Sequence, residues 1–101
     1  MKSLPSNQIR KLHAVSDEVT LIEFISALAD DREDEIAKEK QNPSSPYGTG
    51  ANGWENTTIE AFLDAASAWA TASMEAAPWY EKPQNPWKRV ADILFAGKVY
   101  E

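Results

Sequence analysis

The sequence predicts an all-α fold, a small bundle of three principal helices with one or two short extra helices. Three observations carry that expectation. Apolar residues recur at helical spacing, i, i+3, i+4, i+7, in three separate stretches. A helix-start signature precedes each stretch: Thr20 with Glu23, Thr57 with Glu60, and Asn85 with Pro86. Most glycines and prolines fall in two segments between the stretches, 41–53 and 77–86. The 101 residues suffice for one core in a single domain, 1–101.

The first principal helix is expected near Thr20–Ala29. Thr20 and Glu23 form a capping box, Val19 is placed to staple onto Phe24, and Leu21, Ile22, Phe24, Ile25 and Leu28 make the buried stripe. Ahead of it, 1–18 reads as a partly ordered N-terminal segment in which Ile9, Leu12 and Val15 are spaced for a short helix. Behind it, a continuous helix would set Asp30 against Asp34 and Asp31 against Glu35. Such i,i+4 like-charge pairs cost a few tenths of a kcal/mol each. A break near Asp30–Asp31 is therefore expected, opening a short helix with acids in its first turn and Lys38 and Lys40 in its last. Asp31–Lys40 has few apolar residues and is expected to be exposed.

Segment 41–53, QNPSSPYGTGANG, reads as a long flexible loop. The second principal helix is expected over Thr57–Ser73, with Ile59, Phe62, Leu63, Ala66, Trp69 and Ala70 as its apolar face, and Pro78 prevents its extension. The third runs Pro86–Tyr100, with Asn85 as N-cap and Pro86 at N1. Its apolar arc covers over half the circumference, which predicts contact with two neighbours, and Gly97 would permit a close crossing. The similar strings TLIEFISALA and TTIEAFLDAA read as two capped helices meeting one packing need rather than as a repeat.

The formal charge of −6 is unevenly placed. Met1–Ser16 and Lys82–Glu101 are net basic; Asp17–Lys40 holds nine acids against three bases, and Gln41–Glu81 has five acids and no Lys or Arg. That field repels phosphate backbones and favours a basic protein partner. No nucleic-acid binding, membrane span, secretory leader or cofactor is expected. Absence of cysteine removes disulfide, thiolate-metal and thiol-nucleophile chemistry and fits a reducing, cytoplasmic setting.

With GWENTTIEAFLDAASAW and PWKRVADILFAGKVYE both in view, the chain resembles a family of small, mostly bacterial proteins defined only as a domain of unknown function. The resemblance rests on Leu28–Asp31 ending a first helix, Trp54–Thr57 opening a second, and Tyr100–Glu101 closing the last. It covers the chain from Val19 to the end, with an Asp31–Gly53 connection longer than is usual in the family. It implies an all-α fold and no particular activity.

Trp54, Trp79 and Tyr80 lie in expected loops, where aromatic rings can anchor a partner. Glu55 would add a polar edge, while Trp69 and Trp87 sit on apolar stripes and are expected in the core. The leading expectation is a non-catalytic protein–protein interaction domain, of which an immunity- or antitoxin-like binder of a basic partner is one form. Its expected contact residues are Trp54, Glu55, Trp79 and Tyr80. The alternative is a small carboxylate-based metal-dependent hydrolase using Glu55, Glu60 and Asp64. Against catalysis, the lone His13 has no Glu-x-x-His setting, Gly-x-Ser-x-Gly is absent, and a calcium loop starting at Asp31 would place Ile36 where glycine is needed. The chain is expected to be a monomer or weak homo-oligomer.

Overall fold

The computed structural model describes residues 5–101 except 47 and 76, with side chains from Gln8 onward. The described residues form helices α1 (Pro5–His13), α2 (Glu18–Gln41), α3 (Ile59–Ala72) and α4 (Pro86–Val99). They contain no strand, only an isolated bridge between Ala77 and Tyr80. The all-α expectation holds.

α1 lies where Ile9, Leu12 and Val15 mark helical spacing; Leu12 and Val15 are buried. α2 starts earlier than expected because Asp17, not Thr20, is its N-cap. The Asp17 carboxylate accepts from the Thr20 amide (2.9 Å), and the Thr20 hydroxyl accepts from the Asp17 amide (3.0 Å). Thr20 is thus the N3 half of the box rather than its cap. The Thr20 amide and hydroxyl together hold the Asp17 carboxyl below its ordinary range. Val19 is exposed and does not staple onto Phe24.

The expected break at Asp30–Asp31 is absent, and α2 continues to Gln41. Each like-charge pair is relieved by a cation: Asp34 by Lys38 (2.9 Å), Glu35 by Arg32 (3.1 Å), and Asp31 by Lys98 (2.8 Å). The repulsion of tenths of a kcal/mol is smaller than these attractions. Buried positions run Leu21, Phe24, Leu28, Asp31, Glu35, so the core stripe simply continues through the acids. Exposure was expected at Asp31 and Glu35; both side chains are 1% exposed.

α3 is capped by Thr58, whose hydroxyl accepts from the Ala61 amide (3.1 Å), one residue past the expected Thr57. α4 begins as expected: the Asn85 side chain accepts from the Trp87 amide (2.9 Å), and Pro86 follows. α4 packs on α1, α2 and α3, which accounts for its wide apolar arc. It approaches α3 closely at Gly97, where an added Cβ would lie 2.7 Å from Phe62 Cε1.

The core joins Leu12, Val15, Leu21, Phe24, Leu28, Trp54 and Ala91, with Phe62, Leu94 and Phe95 packed against it. Trp87 is 38% exposed and lies outside this cluster, contrary to expectation. α2 and α3 do not pack on each other. α3 therefore has one helical neighbour, and two residues of its apolar stripe are left uncovered: Ile59 is 79% and Leu63 58% exposed.

Candidate partner-binding surface

The expected contact residues divide into three places. Trp54 is buried, with its indole N–H donating to Asp31 Oδ2 at 2.8 Å. The same oxygen accepts from Lys98 Nζ, also at 2.8 Å. Lys98 Nζ and the Arg32 guanidinium lie 5.5 and 5.8 Å from Trp54 ring centroids, within cation–π range. Two buried carboxylates and two cations thus balance around one indole, which is how a low-dielectric interior tolerates charge. Backbone reinforces the node: Glu35 Oε1 accepts from the amides of Asn52 (2.9 Å) and Trp54 (3.3 Å). Gly50 passes so close to the Glu35 carboxylate that an added Cβ would displace it.

The Trp-Glu-Asn run also closes the far end of α4. The Glu55 amide donates to Lys98 O (3.0 Å), and the Asn56 side-chain amide donates to the carbonyls of Gly97 (3.0 Å) and Tyr100 (2.8 Å). Those carbonyls would otherwise lack intrahelical partners. Leu28–Asp31, Trp54–Thr57 and Tyr100–Glu101, the three segments behind the family resemblance, therefore meet in one structure. The Glu55 side chain is exposed beside Glu101, and sharing a hydrogen bond with that second carboxylate raises its pKa.

Trp79 and Tyr80 lie with Trp69 at the opposite end of α3. The Trp69–Tyr80 centroids are 4.8 Å apart, edge to face, and Trp79 lies 6.1 Å from each ring. Arg89 stacks against Trp69 (5.3 Å) and Tyr80 (5.7 Å) while donating to Ser73 Oγ (2.8 Å) and Ala70 O (2.9 Å) at the end of α3. Trp79 remains 58% exposed, whereas the Tyr80 hydroxyl donates to Asp92 Oδ2 (2.6 Å). Burial, and next the Asp92 bond, pushes the Tyr80 hydroxyl from 10.0 up to about 12. The folded state thus holds this proton more tightly than the unfolded chain. Its stabilisation is complete below about pH 10 and is lost as pH rises through about 12. In a 295 nm titration, the absorbance component removed by Tyr80→Phe should have its midpoint near pH 12. A midpoint near 10 would remove this account.

Between α2 and α3 lies a groove of about 510 Å³. Ile25, Leu28 and Ala29 form one wall, Ile59, Phe62 and Leu63 the other, and Trp54 and Leu94 also line it. Ile22 and Ile36 extend the α2 wall with further exposed apolar surface. Arg32 is the charged residue lining this groove, and its guanidinium is engaged by Glu35 and by Thr57 O (3.3 Å). Sequence reasoning missed the groove by assigning Ile59 and Leu63 to a covered face. Glu55, Glu60 and Asp64 are each exposed. Among the described residues no three acidic or histidine side chains gather in a manner able to hold a metal ion.

Helical architecture, acidic charge and an open apolar groove define a small all-α domain with an uncovered surface, and among the described residues no helix is long and apolar enough to cross a membrane. The chain belongs to a family described as a family of unknown function (DUF7660), whose profile matches residues 17–101. No curated protein and no solved structure matches it.

Proposed function

We propose that this chain is a non-catalytic protein-interaction domain that binds a basic partner protein in the cytoplasm. It would act by occupying the partner's surface, as an immunity protein or antitoxin does. The groove between α2 and α3 is the observation that carries the reading. Isoleucine and leucine side chains stand exposed there on both walls, although the fold has buried apolar residues elsewhere. Contiguous exposed apolar patches rimmed by polar residues are a feature of interaction sites. The surrounding charge supports a basic partner, since 41–81 carries no Lys or Arg. Glu55 with Glu101 and the exposed Trp79 ring offer contacts at two further places on the surface.

Photo-crosslinking tests this reading. A benzoylphenylalanine at Ile59 or Trp79 should give discrete protein adducts in cells. In lysate their yield should fall several-fold between about 50 and 300 mM salt, as exposed charges are screened. No adduct from either position would end the proposal.

A further inference from the structure

We propose that the α2–α3 groove receives one amphipathic helix of the partner protein, apolar stripe inward and lysines or arginines along both edges. The inference rests on the protein-binding reading and adds the occupant. Both walls are helices that do not pack on each other, and the described residues offer no strand edge to which an extended peptide could add. Helix-in-groove recognition, with anchors at i, i+3, i+4 and i+7, is the mode this geometry suits. The exposed isoleucines of α2 run from Ile22 to Ile36. That is about 21 Å at 1.5 Å per residue, of which the stretch Ile25–Arg32, about 10 Å or two turns, faces the α3 wall.

Charge selects among occupants. Residues 18–37 hold seven acids and one base; Asp31, Asp34 and Glu35 are paired within the fold, so the rim charge on α2 rests on Glu33, and α3 carries Glu60 and Asp64 with no base. The one base, Arg32, is committed to Glu35 and Thr57. By 100° stepping, Glu33 flanks the α2 wall and Glu60 flanks the α3 wall. A second copy of this chain would bring the same acidic walls against them, and like charges across an interface count against that pairing. A helix with cationic edges meets both requirements, apolar floor and acidic rims.

The test uses a fluorescein-labelled 18-residue peptide of leucine and lysine, leucines at i, i+3, i+4 and i+7, titrated by fluorescence anisotropy. Two controls accompany it: the same composition scrambled to destroy the stripe, and leucine with glutamate in place of lysine. The striped cationic peptide should bind at least tenfold more tightly than either control. Ile59→Ser with Leu63→Ser should weaken it at least tenfold; both sites are exposed, so the fold should survive, as circular dichroism would verify. Met74→Ser, an exposed apolar site outside the groove, should leave affinity unchanged. Equal binding of scrambled and striped peptides would overturn the groove while leaving the preference for a basic partner standing. No binding of either cationic peptide would overturn both. A dimer in light scattering that Ile59→Ser/Leu63→Ser dissolves would replace the partner helix with a second copy, and binding to phosphatidylcholine vesicles lost in the same variant would replace it with a lipid surface.

Discussion

Asp31→Ala should destabilise the domain by roughly 3–5 kcal/mol, the cost of breaking a buried ion pair by removing one partner. Lys98, only 4% exposed, would keep its charge with no carboxylate at hand, and the Trp54 indole N–H would lose its acceptor. A domain of this size has a total stability of about 5–15 kcal/mol, so much of the margin would go. Asp34→Ala is the contrast: its pair with Lys38 is partly solvated, and such pairs contribute about 0–1 kcal/mol. The double change Asp31→Leu with Lys98→Met removes both charges and should recover part of the loss, because apolar replacements of buried pairs are often neutral while the Trp54 indole N–H still lacks its acceptor, at about 1–3 kcal/mol. Urea unfolding at constant m-value reads all three. A loss below about 1 kcal/mol for Asp31→Ala would mean that water reaches Lys98.

The helices were legible because their signals are local. Asn85–Pro86 and the stripe Leu21–Phe24–Leu28 are written within one or two turns of chain. The errors came where distant residues decide. Nothing near Asp31 in sequence says that Lys98 and Trp54 will meet it, so repulsion within the pairs Asp30/Asp34 and Asp31/Glu35 stands out as the governing effect. One signal was available: continuing the Leu21, Phe24, Leu28 spacing lands on Asp31 and Glu35, and an acid on a core register position demands a buried cation. Glu39 similarly gathers Ser44 and Ala51, which gives 41–53 fixed attachments that its composition does not advertise.

The candidate surface was harder to read for the opposite reason. An apolar stripe states that a face wants covering but not whether the chain itself supplies the cover. Ile59 and Leu63 share their stripe with Phe62 and Ala66, yet Phe62 packs against the core and Ala66 is buried while the other two face outward. Only the relative placement of α2 and α3 separates them.

Trp54→Ala should cost about 3–5 kcal/mol, the range for deleting a large buried aromatic. The loss combines a ring packed 6.2 Å from Phe62, two cation–π partners and the Asp31 hydrogen bond. Trp54→Phe retains a large apolar ring and leaves Asp31 short of one donor, so about 1–3 kcal/mol is expected. Each kcal/mol lowers the melting temperature of a domain near this size by about 4–8 °C, so a thermal melt separates the two variants. Trp54 also lines the groove, and the sequence alone suggested it as a partner contact. The two roles predict different pairs of measurements. If Trp54 acts mainly by anchoring Asp31 and Lys98, folded Trp54→Phe should bind the striped leucine–lysine peptide within about threefold of wild type, a difference of about 0.7 kcal/mol, despite its lower melting temperature. Ile59→Ser/Leu63→Ser should show the reverse, an unchanged melt and weakened binding. A Trp54→Phe domain that melts normally but loses peptide affinity tenfold would make Trp54 a recognition residue and the Asp31 bond incidental.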